Sequence, residues 1–362
     1  MELNRDELCM VLKELGESAY RGRQLAEWIY RRGAHGFDEM SNLPESLREK
    51  LSTNYQIGRS DIIAVQRSKD GTIKLLLSLK PKTKIQKPKT QNKNNKLDTT
   101  ECVETVGIPE KGRFSCCLST QVGCPVGCVF RATGMGGFSR NLSAGEIVDQ
   151  VLAVQEVANR RVNHVVFMGM GEPLLNYEAT VKAIRLLNEE MGIAMRHLTV
   201  STVGYVPGIQ RLAKEKLQAT LAVSLHAGTD EVRRKLVPGM KFRLREIISA
   251  CKEYLKETGR RVTFEYCLLE GVNDSLAQAR ALAKLLKGMN CHVNLIPFNP
   301  VSGLGFSKEP QKAIRDFREV LENVGIQVTQ RVQRGADISA ACGQLRSKVK
   351  HQMSKVQIKS QK

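Results

Sequence analysis

No run of apolar residues in this 362-residue chain approaches the roughly 18 to 20 that a membrane-spanning helix needs, so no span is expected. The first fifteen residues alternate acidic and basic side chains and lack the charged stub and apolar run of a secretory leader, which predicts a cytoplasmic protein with no membrane partner. Acidic residues are missing from two basic stretches. Residues 80–97 hold seven lysines and residues 346–362 hold six lysines and arginines; removing those thirteen charges from the formal +19 leaves +6 for the rest. Segments so poor in apolar groups read as a disordered linker and tail that add salt-dependent, sequence-independent affinity for phosphates. A disulfide framework is not expected either. Ten cysteines in an unsecreted chain of this size read as reduced thiols serving as ligands, catalysts or core filler.

With 41% hydrophobic and 26% charged residues, the chain is long enough for one large domain and a smaller one. Residues 1–55 read as a helical module: Leu25, Ile29 and Tyr30 recur at helical spacing, and Pro44 marks a helix start. Its basic face (Arg21, Arg23, Arg31, Arg32) is suited to RNA, although helix-surface arginines are more often merely solvated. Residues 61–66 and 72–79 read as strands joined by Asp70-Gly71, a tight-turn pair, giving a β-hairpin over residues 56–80. A lysine-rich linker follows over 81–100. From residue 101 to 345 strand-like runs at 114–118, 164–168, 198–201, 221–225, 262–267, 293–296 and 328–332 alternate with helical stretches. The first of those helices is announced by the capping box Ser143 and Glu146. Such repetition predicts an α/β fold with a parallel sheet, a full or partial barrel or a doubly wound sheet, with ligands at the carboxyl ends of the strands. Residues 346–362 form the basic tail.

The chemistry-bearing loop runs from Gln121 to Gly134. Cys124 and Cys128, four apart on a glycine-containing turn, can face one metal centre, but alone Cys-x-x-x-Cys is a weak signal. A third cysteine at position 131 would complete Cys-x-x-x-Cys-x-x-Cys, the spacing by which three thiolates hold a 4Fe-4S cluster with one iron open. Arg131 stands there instead. Further on, the run from Phe167 to Asn176 contains Gly171-Glu172-Pro173, where glycine admits close backbone approach and the carboxylate can meet an ammonium. Ser224-Leu225-His226-Ala227, the run from Asn294 to Pro300, and Arg334 to Leu345 with Cys342 at its centre complete the series.

Taken in order along nearly the whole chain, these motifs resemble the RlmN/Cfr family of radical S-adenosylmethionine RNA methyltransferases. The resemblance implies a radical-SAM partial (β/α) barrel, and methylation of C2 of an adenosine in 23S ribosomal RNA, transfer RNA or both, with C8 as the rarer family outcome. It also implies a 4Fe-4S cluster, S-adenosylmethionine, an electron donor such as flavodoxin or ferredoxin, and a monomer. Gly171, Glu172, Ser201, Ser224, Leu225, His226 and Asn299 match cofactor-contact positions, and Cys124 and Cys128 match two of the three cluster ligands. By the same resemblance Cys342 accepts a methyl group from one S-adenosylmethionine, and a radical drawn from a second activates that methyl to add to the base. Cys117 then resolves the adduct by forming a disulfide with Cys342, and Glu104 accepts the proton.

Arginine donates hydrogen bonds only and cannot coordinate iron. Two readings therefore stand side by side. One is an active methyltransferase; the other is a catalytically impaired member that binds RNA and S-adenosylmethionine. A thiol-redox or zinc protein built on Cys116, Cys117, Cys124 and Cys128 accounts for none of the other motifs.

Overall fold

The computed structural model describes residues 1–79, 101–301 and 303–345; the lysine-rich stretch and the basic tail lie outside the described residues. Residues Arg5–Glu14, Ala19–Glu27 and Glu45–Asn54 form the expected α-helices. Asn4 caps the first through a reciprocal box with Glu7, and Pro44 sits at the N-cap of the third. Their apolar faces (Leu12, Leu25, Tyr30, Leu47) are continuous with the core beneath the sheet. Two of the four arginines on the basic face are engaged locally: Arg32 pairs with Glu27 and stacks over Trp28, and Arg21 bonds to Gln24 and the Asn42 carbonyl.

Ten strands share one open sheet: β1 (Asp61–Arg67), β2 (Ile73–Ser78), β3 (Cys102–Glu110), β4 (Arg113–Cys117), β7 (His164–Phe167), β8 (Leu198–Thr202), β9 (Thr220–Ser224), β10 (Val262–Leu268), β11 (Cys291–Pro297) and β12 (Gln327–Gln330), in that order. The remaining two, β5 (Gln121–Gly123) and β6 (Phe138–Asn141), pair with each other alone. Pairing is antiparallel from β1 to β4 and parallel from β4 onward. Every run read as a strand is one. The hairpin is the antiparallel edge of the same sheet that carries the parallel strands, and β3, absent from the sequence reading, joins them. Parallel strands buried on both faces read as continuous apolar runs, and Leu221–Val223 and Tyr266–Leu268 are fully covered accordingly. Among the described residues no helix is long and apolar enough to cross a membrane.

The segment leaving the helical module is tied by charge to the helix Ala144–Ala158. Arg59 donates from Nε to Asp149 at 2.5 Å and from Nη2 to Glu156 at 2.9 Å, while the Ser60 amide bonds the other Asp149 oxygen at 2.7 Å. Arg59 and Asp149 are both buried, so deleting one charge strands the other. Asp149→Asn is expected to destabilise the fold by about 3 kcal/mol. Urea denaturation checks this, and an unchanged midpoint would mean that Glu156 alone satisfies the guanidinium.

Candidate active site

All the strands of the parallel half deliver their carboxyl ends to one side of the sheet, and most of the candidate residues converge there. Phe167 ends β7 and Met168 follows it, Ser201 and Thr202 end β8, Ser224 ends β9, Glu265 and Cys267 come from β10, Ile296 comes from β11 and Phe298 follows it. Together with Gly171, Glu172, His226, Arg331 and Cys342 they wall a cavity of about 640 Å³, its open mouth included. Gly171 is held at φ +100°, and a side chain there would strike Gln121 and Thr120, so the turn that aims Glu172 requires glycine. The Glu172 carboxylate accepts the backbone N–H groups of Val203 (2.8 Å) and Leu174 (3.1 Å). Burial nevertheless raises its pKa, the two N–H groups and the nearby Arg131 cation opposing that shift. His226 accepts the Cys267 N–H on Nδ1 at 3.0 Å, which leaves the ring proton on Nε2. Burial, with Arg233 and Arg131 adding repulsion, pushes its pKa down to about 3, so the ring is neutral at physiological pH.

Two cysteine-bearing segments meet over this cavity. The loop after β5 carries buried Cys124 and Cys128; Gly123, at φ +78°, begins it because a side chain would collide with the Gly137 carbonyl, to which the Cys124 amide donates. The turn around Cys342 is stapled to that loop by Ala132 N to Gly343 O (2.8 Å) and Thr133 Oγ1 to Leu345 O (2.7 Å). It is stapled to the hairpin by Gly335 N to Asp70 (3.0 Å), Ser68 to Asp337 (2.6 Å) and Lys74 to Ser339 O (3.2 Å). Asn299 holds the Cys342 carbonyl at 3.0 Å. Cys117, at the end of β4, lies close enough to Cys342 for their ionised forms to repel. Burial first, and that repulsion second, push its pKa to about 11, with Arg331 and Arg131 opposing.

Along the sequence, residues 1–57 match the model described as the ribosomal RNA large subunit methyltransferase N-terminal domain, and residues 118–283 match that of the radical SAM superfamily. A probable dual-specificity RNA methyltransferase RlmN of Microcystis aeruginosa is 48% identical over 345 residues, 95% of this chain and 97% of that protein. The chain belongs to the RlmN family. A second RlmN relative, from Thermosynechococcus vestitus, is 47% identical over 91% of this chain and 93% of its own length. The crystal structure of a radical SAM methyltransferase from Sphaerobacter thermophilus superposes with a TM-score of 0.87 at 45% identity, covering 96% of this chain and 98% of that one. Membership brings with it the radical SAM fold and, as a family property, a 4Fe-4S cluster and S-adenosylmethionine.

For an RlmN-family chain the cluster loop is anomalous. Arg131 reaches over the cavity floor and donates from Nη2 to the carbonyls of Gly169 (2.8 Å) and Met168 (3.3 Å). Burial by itself would lower the guanidinium pKa, but the thiols of Cys342, Cys128, Cys124 and Cys117, in that order of strength, raise it overall. The position that should supply a third thiolate thus supplies a cation standing among four sulfurs. Among the described residues no group of three or more His, Cys, Asp or Glu side chains is placed to hold a metal ion. The residues present do not fit a cluster held by three thiolates.

Several expectations need adjustment. Leu225 is fully buried in the core and does not line the cavity. Asn299 faces a neighbouring cavity that Cys342 also lines, with its Oδ1 buried and unpartnered. Glu104, on β3, is buried against the Lys74 ammonium at 3.0 Å and lines neither cavity. The implied disulfide between Cys117 and Cys342 is not supported, for all ten cysteines are free thiols. Sequence reasoning missed Arg331, which bridges the two cavities, and Arg233, a buried guanidinium bonded to the carbonyls of Val203, Ser224 and Leu225. Arg331 was marked only by its place just after β12, and Arg233, inside the helix Asp230–Leu236, by nothing at all.

Proposed function

We propose that this chain is built as an RNA methyltransferase that places a methyl group on C2 of an adenosine in ribosomal and transfer RNA. Cys342 is the methyl-accepting thiol, Cys117 the resolving thiol and Glu104 the proton acceptor, with the strand-end cavity as the S-adenosylmethionine site. The observation that carries this reading is Cys342 on the wall of a cavity also lined by Glu172, Ser201, Ser224 and His226, near enough to Cys117 for their charges to act on each other. Glu172 supplies a fixed carboxylate for an ammonium, neutral His226 offers its Nε2 proton, and Met168 and Phe298 supply apolar wall.

Arg331 is a second cation near both thiols, and at Cys117 it opposes the burial that disfavours the thiolate. Lys74 links Glu104 to the Cys342 turn, joining its carboxylate to the Ser339 carbonyl. The electron donor and a monomeric state belong to the same proposal by family analogy alone.

Arg131 favours a second reading for the chain as encoded: the binding machinery is present, but the cluster site lacks its third thiolate. Both readings share the role of Cys342, and peptide mass spectrometry tests it. In an Arg131→Cys protein reconstituted with iron and sulfide and given S-adenosylmethionine, the added methyl is expected on Cys342. Methyl found on Cys117 instead would reverse the two roles.

A further inference from the structure

Arg131 is only partly satisfied where it sits. Its Nη2 is committed to two carbonyls, but Nη1 and Nε make no hydrogen bond, and Nε is fully enclosed. Among the described residues no carboxylate forms an ion pair with it. A guanidinium withdrawn from water without an anionic partner is costly, and the partner it suits best is a carboxylate that can meet its planar donors. Glu172 lines the same cavity and lies close enough for its charge to act on Arg131 and the reverse. The cavity lining therefore holds two cations, Arg131 and Arg331, and two carboxylates, Glu172 and Glu265, among aromatic and apolar side chains (Phe130, Phe167, Ile296, Phe298); Arg331 and Glu265 act on each other, which leaves Arg131 and Glu172 for a ligand.

That pattern is complementary to a zwitterionic amino-acid head carried on a larger, partly apolar body. We infer that in this chain Arg131 binds the carboxylate of S-adenosylmethionine directly, so that the protein as encoded takes up the nucleoside with no cluster present. The inference rests on reading the cavity as the S-adenosylmethionine site. It assigns the guanidinium a ligand role that a cysteine at this position could not perform by itself, because a neutral thiol offers a carboxylate one weak donor and no charge. It also gives the encoded residue a binding function in place of the metal ligation it has displaced.

Calorimetric titration of protein freed of iron by chelation tests this with three probes. These are S-adenosylmethionine, its decarboxylated form, and 5′-methylthioadenosine, which lacks the amino-acid head altogether. The encoded chain is expected to bind S-adenosylmethionine at least about tenfold more tightly than the decarboxylated form, a charge-assisted pair being the difference. Arg131→Gln should remove that preference while leaving the decarboxylated form bound as before, and Arg131→Lys, which keeps the charge but loses the planar fork, should retain part of it. Equal affinity of the encoded chain for the two forms overturns the inference, and that comparison needs no variant to fold. So does an Arg131→Gln protein that binds S-adenosylmethionine undiminished. In either case, retained binding of 5′-methylthioadenosine leaves the cavity standing as the nucleoside site. Failure of all three probes to bind would overturn both the inference and the site assignment.

Discussion

In an Arg131→Cys background, Cys117→Ala will leave RNA covalently attached to the protein through Cys342, with free methylated product falling to background. Once the methyl carbon of Cys342 is joined to the base, the sulfur–carbon bond must be broken for the RNA to leave. In the proposed roles a second thiolate does this by attacking the Cys342 sulfur. A transient sulfur–sulfur bond, absent from the structure with its free thiols, forms as the electron pair of the broken bond passes to the methyl carbon, and a proton completes the methyl group. Cys117 is the thiol placed for it, since it lies within electrostatic reach of Cys342 and shares Arg331 with it. Its neighbour Cys116 is fully buried and hydrogen-bonded to Thr105, so it cannot substitute. Because burial holds the Cys117 pKa near 11, resolution should also accelerate as pH rises from 7 toward that value, the thiolate fraction growing about tenfold per unit. A denaturing gel shift that collapses on nuclease treatment checks the first expectation. Unmodified RNA with no cross-link would show that Cys117 acts before the base is attacked.

Much of this arrangement was legible in the sequence because it is written in local terms. The parallel strands are short apolar runs between helices, and their carboxyl ends are where ligands gather, so Glu172, Ser201, Ser224 and His226 could be placed together from strand-end position and the family resemblance. The hairpin was legible for the same reason, Asp70-Gly71 being a turn that announces itself. Its purpose was not. Asp70 and Lys74 reach across more than 260 residues of chain to hold the Cys342 turn, and a contact of that span leaves no local trace. β3 escaped because its sequence follows a lysine-rich segment and carries Glu104, a charge that argues against a buried strand until Lys74 is seen beside it. Arg331 and Arg233 escaped because buried arginine is rare, and only tertiary contacts distinguish these two from the many solvated ones. Leu225 differs from its motif neighbours: they line the cavity, while its own side chain packs into the core.

Arg131→Cys is expected to have the largest effect of any single substitution, since it changes the ligand count at the loop from two thiols to three. The remainder of the loop is already shaped for the change. Gly123 fixes its entry, the Val126 carbonyl and the Val129 amide tie it to residues 236–239, and Ala132 ties it to the Cys342 turn. Removing the guanidinium frees the Met168 and Gly169 carbonyls, at a cost of roughly 1 kcal/mol for each bond lost, which this much buried core can absorb. It also takes a permanent cation away from Cys124 and Cys128, whose thiols the same loop must present to iron. Iron and sulfide should therefore be counted per chain after identical anaerobic reconstitution of the two proteins. The Arg131→Cys protein is expected to hold about four of each with the broad visible absorbance of a 4Fe-4S cluster, and the encoded protein only a small fraction of that. A full complement on the encoded protein, or none on the variant, would contradict the claim that this one residue separates the chain from a cluster-binding methyltransferase.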